Sequence, residues 1–230
     1  MESYPLHSTE NQVGLIEEAK VCIDENVSSD ALASLGDTDT LTLEEIIRSK
    51  VEDAARLVEE SAAHYLLDNG KSLLGASISW EAQPGYGKGS IRVPDDFLRL
   101  IVFQMRDWAY PVTEAITEDN PLYLMQASRY MGVRGNPERP VVAIVHTANG
   151  QDLEFYSCAG QVGGIKTGQY LPVPKVDEEG YIELCPKLHR AVVYRLASMT
   201  AAIIGASEVA AMLLGTSNEL AGIVPPEAAR

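Results

Sequence analysis

The stretch Phe97–Met105 carries apolar side chains at both odd and even positions: Phe97, Ile101, Phe103 and Met105, with Leu98, Leu100 and Val102 between them. Such a segment offers no face to water, so it must be enclosed on both sides, as a central strand or as a buried helix. Pro94 and Pro111 bracket the wider block 90–116, where Ile, Val, Phe, Trp and Tyr concentrate and favour a strand. Periodicity alone leaves helix and strand both open. None of these side chains is a catalytic group, so the centre of the chain reads as scaffold.

The covering layers come from the flanks. Residues 41–67 form the clearest amphipathic helix, with Ile46, Ile47, Val51, Ala54, Ala55, Val58, Ala62, Tyr65 and Leu66 on one stripe. Thr42 followed by Glu45 is a capping-box pair, and Asp68-Asn69-Gly70 is expected to close the helix. A shorter helix spans 11–26, on Val13, Ile16, Ala19 and Ile23. Near the other end, Leu188, Ala191, Val192, Leu196, Met199, Ala202 and Leu213 line a long helix over 187–215, opened by Pro186 and stopped by Gly215, with Gly205 inside it. Residues 1–10 show no periodicity and read as an arm. Residues 28–40 read as a polar linker whose Asp and Thr residues suit turns and caps, not the alternate-oxygen pattern of a calcium loop.

Between the helices the period becomes two. Leu74, Ala76, Ile78 and Trp80 alternate with smaller or polar neighbours, then a glycine-rich turn over 83–89 leads to Ile91 and Val93, which predicts a hairpin. Residues 141–147 and 153–158 are two more strands joined through Asn149-Gly150, a strong hairpin-turn signal. A further glycine-rich loop over 160–168 precedes a strand at 170–173. The expected fold is therefore α+β: a helical bundle from 41–72 and 187–215, with an antiparallel β-sandwich-like region, 73–186, inserted between them. Residues 1–40 add an arm, a short helix and a linker, and 216–230 an extended tail.

The chemistry-bearing residues form no familiar constellation. The histidines at 7, 64, 146 and 189 lack metal-ligand spacing, and Cys22, Cys158 and Cys185 are scattered, suiting a reducing compartment. Lys88 in Gly85-Tyr86-Gly87-Lys88-Gly89-Ser90 is followed by glycine and a strand, so the Walker pattern fails. Asp95-Asp96 after a proline suits a turn or cap, although a carboxylate pair for acid–base work with His146 remains the enzymatic alternative, a small hydrolase. A monomeric binding module presenting the loops 85–89 and 160–168 is another. No cofactor and no metal are expected. No apolar run reaches the ~18–20 residues that span a bilayer, and the first residues lack a signal-peptide pattern. With 33 acidic against 18 basic residues, the net charge of −15 disfavours sequence-independent nucleic-acid binding.

The order Val-Pro-Asp-Asp-Phe-Leu-Arg-Leu (93–100), Asp-Trp-Ala-Tyr-Pro-Val (107–112), Asn-Pro-Leu-Tyr-Leu-Met-Gln (120–126) and Pro-Val-Val-Ala-Ile (140–144) resembles head-to-tail adaptor or ring proteins from the neck of short-tailed bacteriophages, those of crAss-like phages above all. The late run Tyr-Leu-Pro-Val-Pro (170–174) and Tyr-Ile-Glu-Leu-Cys-Pro-Lys-Leu-His-Arg-Ala-Val-Val-Tyr-Arg-Leu-Ala (181–197) is similar to them too. The likeness covers roughly 41–215 and consists of loose patterns; the first 40 residues and the tail fall outside it. It implies a structural virion protein without an active site: a twelve-fold ring beneath the portal, touching other neck and tail proteins, made in the host cytoplasm and lining a channel that DNA crosses without specific binding. An acidic lumen would suit that passage. Arg129, Arg134 and Arg139, clustered in one loop, together with Tyr86 and Lys88, are the candidate contacts between subunits.

Overall fold

The structure is a computed structural model that describes residues 1–24, 42–68, 70–81, 87–130, 132–158 and 163–223. Its helices are α1 (Leu15–Asp24), α2 (Leu43–Ser61), α3 (Pro121–Gln126), α4 (His189–Ile203) and α5 (Ser207–Leu220). Its strands are β1 (Glu2–Pro5), β2 (Lys71–Ser72), β3 (Ile78–Glu81), β4 (Gly87–Arg92), β5 (Phe97–Met105), β6 (Ile116–Thr117), β7 (Val142–Thr147), β8 (Gly150–Cys158), β9 (Ile165–Pro172) and β10 (Tyr181–Leu184). The fold is α+β, and the chain divides into a helical unit, 1–68 with 174–230, and a β-rich unit, 69–173.

In the helical unit, α2 begins with the expected reciprocal cap. The Glu45 N–H donates to Thr42 Oγ1 at 3.3 Å and the Thr42 N–H to Glu45 Oε2 at 2.8 Å, satisfying two donors that the first turn leaves orphaned. Its stripe of Ile46, Ile47, Val51, Ala54, Ala55 and Val58 is buried as expected. The helix stops at Ser61, six residues short of the expected end, because Ala62 turns extended and the Ala63 N–H bonds to the Ala221 carbonyl at 2.9 Å. His64 consequently lies in a short 3-10 turn, His64–Leu66.

The long C-terminal helix is two helices. Gly205 has φ +84°, the Ala206 N–H reaches the Ala201 carbonyl at 2.9 Å and the Gly205 N–H reaches Ala202 at 3.3 Å. These are the two bonds of a Schellman cap with glycine in its left-handed position. The same pair recurs after α5, where Gly222 has φ +67° and Ile223 and Gly222 bond back to Asn218 and Glu219. So Gly205 breaks the helix, whereas Gly215, expected to stop it, lies inside α5, and residues 216–220, expected in an extended tail, are helical. Residues 224–230 lie outside the described residues. Two buried hydroxyls join α4 to α5: Ser198 donates to the Ala210 carbonyl at 2.7 Å and Ser217 to Ala191 at 2.8 Å. Nothing lies near a Cβ placed on Gly205, so Gly205→Ala tests the backbone alone. It is expected to cost about 1–2 kcal/mol by chemical denaturation; an unchanged or raised stability would mean the helix can run straight through.

The arm expected over 1–10 contains a strand, Glu2–Pro5. Glu2 to Pro5 pair antiparallel with Leu184 to Tyr181, so β10 belongs to the helical unit and not to the β insert. Tyr4 stacks on His189 with ring centroids 4.4 Å apart, and His189 Nε2 lies 3.3 Å from Glu18 Oε1 on α1.

In the β-rich unit, Phe97–Met105 is a strand. β5 pairs with β9 in a three-stranded sheet, β2-β9-β5, and faces a five-stranded sheet, β3-β4-β8-β7-β6, that is antiparallel except for β6 beside β7. Side chains from both sheets share one core: Phe97, Leu100, Phe103 and Met105 from β5 meet Ile91, Val142, Leu153 and Phe155, with Trp108 between. Gly89 stands opposite Phe155, and a Cβ there would overlap the ring, which is why glycine occupies the middle of β4. The Asn149-Gly150 hairpin forms, with Gly150 at φ +125°. The expected loop over 160–168 gives way to β9 from Ile165. The tip 82–86, Tyr86 included, and residues 159–162 lie outside the described residues. Among the described residues, no helix is long and apolar enough to cross a membrane.

Candidate interaction surface

Asn120 opens α3. Its Oδ1 accepts from the Leu122 N–H at 3.0 Å, and Pro121 fills the first helical position, where no N–H is needed. Tyr123 turns inward, edge-on to Tyr156 and against Ala143 and Val145. Gln126 is buried and fixes the segment that follows: its Nε2 donates to the Leu122 carbonyl at 3.1 Å and its Oε1 accepts from the Gly135 N–H at 2.7 Å. This buried amide joins the short helix to the loop and holds both in place.

The same anchoring leaves large apolar side chains in water. Leu124 is 77% exposed and Tyr130 60%, with Leu122, Met125 and Val133 about half exposed. Covering one such side chain is worth about 1.5–3 kcal/mol, so a fixed segment that leaves five uncovered presents a surface suited to a partner. Arg129 belongs to it: its Nη2 donates to the Tyr130 hydroxyl at 2.9 Å and its guanidinium lies 5.0 Å from the ring centroid. Arg139 is exposed, in a turn closed by Asn136, whose Oδ1 accepts from the Arg139 N–H at 3.0 Å.

The other expected contacts fare differently. Arg134 is only 4% exposed, so it offers little surface for a contact with another subunit. Lys88 is 20% exposed and lies between Glu154 Oε1 at 2.9 Å and Glu81 Oε2 at 3.4 Å, over the ring of Tyr156. Burial alone would lower the Lys88 ammonium, but the two carboxylates outweigh it and hold it above its ordinary value. The Tyr156 hydroxyl donates to Glu154, and burial with that carboxylate pushes the phenol far up, so it stays protonated. Lys88 is thus an internal cross-strand tie. Sequence reading missed this because Glu154 lies far along the chain on β8.

The acid pair separates. Burial opposes ionisation of Asp96, but the hydrogen bonds from Lys71 Nζ (2.7 Å) and the Tyr170 hydroxyl (2.8 Å) prevail and hold its carboxyl below the usual range. It ties β2 and β9 to the start of β5. Asp95 is exposed and lines a shallow cleft of about 290 Å³ with Arg92, Pro94 and Gln151. His146 is exposed, with Nδ1 3.3 Å from Glu118 Oε2 and Nε2 3.0 Å from Gln151 Nε2. A hydrolytic pair of Asp96 with histidine would need a carboxylate not already committed. Among the described residues no group of three or more His, Cys, Asp or Glu side chains could hold a metal ion. Of the loops expected to recognise ligands, residues 82–86 and 159–162 lie outside the described residues.

No protein-family model matches this chain, and no curated protein is significantly similar to it.

Proposed function

We propose that this chain is a structural virion component, a head-to-tail connector subunit of a phage neck, which joins copies of itself into a ring beneath the portal and extends the channel for DNA. The observation that carries the reading is the anchored, arginine-edged apolar surface over 122–133. A helix capped by Asn120 and tied down by Gln126 holds Leu124 in water, where a second molecule can cover it. The resemblance in 93–144 and 170–197 supplies the identity of the assembly, and the net charge of −15 suits a wall past which DNA slides. Portal and further neck or tail proteins are the other partners, DNA is a passenger without a binding site, and the place of action is the neck of the virion.

The native mass of the purified protein, alone and mixed with its portal, tests this. A defined multiple of the 25.0 kDa chain, or incorporation into a portal complex, is expected. Leu124→Glu should abolish the assembly while leaving the melting transition in place, since the side chain is 77% exposed in the subunit. A protein that stays monomeric and ignores the portal would sink the connector reading.

A further inference from the structure

The surface over 122–133 has a match elsewhere on the same chain. On α5, Glu208, Met212, Gly215 and Glu219 follow one another at spacings of four, three and four residues, so they share one face, and all are exposed. A Cβ placed on Gly215 would meet nothing, so the middle of the face beside the exposed Met212 is open. Its ends are acidic. Glu208 sits in the first turn, where the helix dipole favours it, but Glu219 sits in the last turn, where the dipole opposes it, and that turn holds no basic residue. An external cation beside Glu219 would relieve this.

We infer that the apolar segment around Leu124 on one copy docks on the α5 face of a second copy, with Arg129 and Arg139 of the first meeting Glu208 and Glu219 of the second. This rests on the reading that the chain assembles with itself, and it specifies how. One surface is apolar with arginines at its edge, the other apolar with glutamates at its ends. In a chain of net charge −15, two copies approach favourably only where such local complementarity offsets the general repulsion. Because the two surfaces differ, the contact is heterologous, and repeating it makes a closed ring or an open filament.

Charge reversal in the full chain, read by sedimentation, tests the pairing. Glu208→Arg with Glu219→Arg is expected to weaken self-association at least about tenfold, roughly 1.4 kcal/mol. Arg129→Glu with Arg139→Glu should do the same, and mixing the two variants should restore assembly in alternating order. A photo-crosslinker placed at Leu124, with isotopically distinct copies mixed, should join residues 203–220 of a different copy. Melting curves confirm that each variant stays folded. If the wild type assembles, and the α5 reversals assemble equally well or the crosslinks reach other residues, residues 224–230 of the same chain included, this pairing is wrong while the connector reading stands. If the wild type fails to assemble, alone or on the portal, both fall.

Discussion

Replacing Phe103 by alanine is expected to destabilise the β-rich unit by about 3–5 kcal/mol. The ring is fully buried on β5, where its centroid lies 5.1 Å from that of Phe155 on the opposite sheet and 5.6 Å from that of Trp108. Trp108 and Phe155 both pack on the ring, so its removal leaves a cavity in the shared core of the two sheets. The measurement is convenient: both tryptophans, Trp80 and Trp108, are in this unit, so fluorescence during urea unfolding reports on it, while far-ultraviolet dichroism weights the helical one. A loss under about 1 kcal/mol would mean that the two sheets do not share this core. A shift of both signals together would reveal units that unfold as one.

The second large effect concerns a charge. Glu59 on α2 is fully buried; its Oε1 accepts from the Cys185 N–H at 2.8 Å, and Oε2 has no hydrogen-bond partner among the described residues. Burial pushes its carboxyl up to about 7, only partly offset by the Cys185 backbone and thiol and by the ammonium of Met1. The Cys185 thiol, buried and beside this carboxyl, is itself pushed up to about 12. For Glu59 the folded chain holds a proton that the unfolded chain releases near 4.5. Stability from this group is therefore complete below pH 4.5, falls as pH rises to about 7, and stays low above it, by roughly 3 kcal/mol in all. Glu59→Gln keeps the acceptor for Cys185 and removes the charge, so it should stabilise the helical unit at pH 8 and change little at pH 4.5. The raised Cys185 thiol runs the same way at higher pH, whereas burial lowers the His189 imidazole, which favours folding as pH rises through 6.5. The quantity to plot is thus the difference between variant and wild type against pH. A flat difference would show that Glu59 is not the group responsible.

Local grammar was legible and distant pairing was not. The two-sided apolar run of β5, the Thr42–Glu45 cap and the Asn149-Gly150 turn each depend on residues close in sequence, and the structure contains all three. β1 was opaque because Glu-Ser-Tyr-Pro has no pattern of its own; it is a strand only because Tyr181–Leu184 offers a free edge. The exposed side of 122–133 could be named by its arginines, but its apolar part could not. Leu122, Leu124 and Met125 look like core residues until Gln126 is seen to turn the helix outward. The surroundings of Arg134 and Lys88 were hidden for the same reason, since burial in one and a partner on β8 in the other are settled across the fold.

The pairing of β1 with β10 also sets a timetable. The β-rich unit is one uninterrupted length of chain, whereas the helical unit is assembled from residues 1–68 and 174–230. As the chain leaves the ribosome at about 5–20 residues per second, α2 emerges with its apolar stripe and waits, on the order of ten seconds, for α4 and α5 to exist. The insert can close in that interval. β1 is therefore made long before it can reach its place beside β10, and the nascent stripe of Ile47, Val51 and Val58 is where a holding chaperone would be most useful.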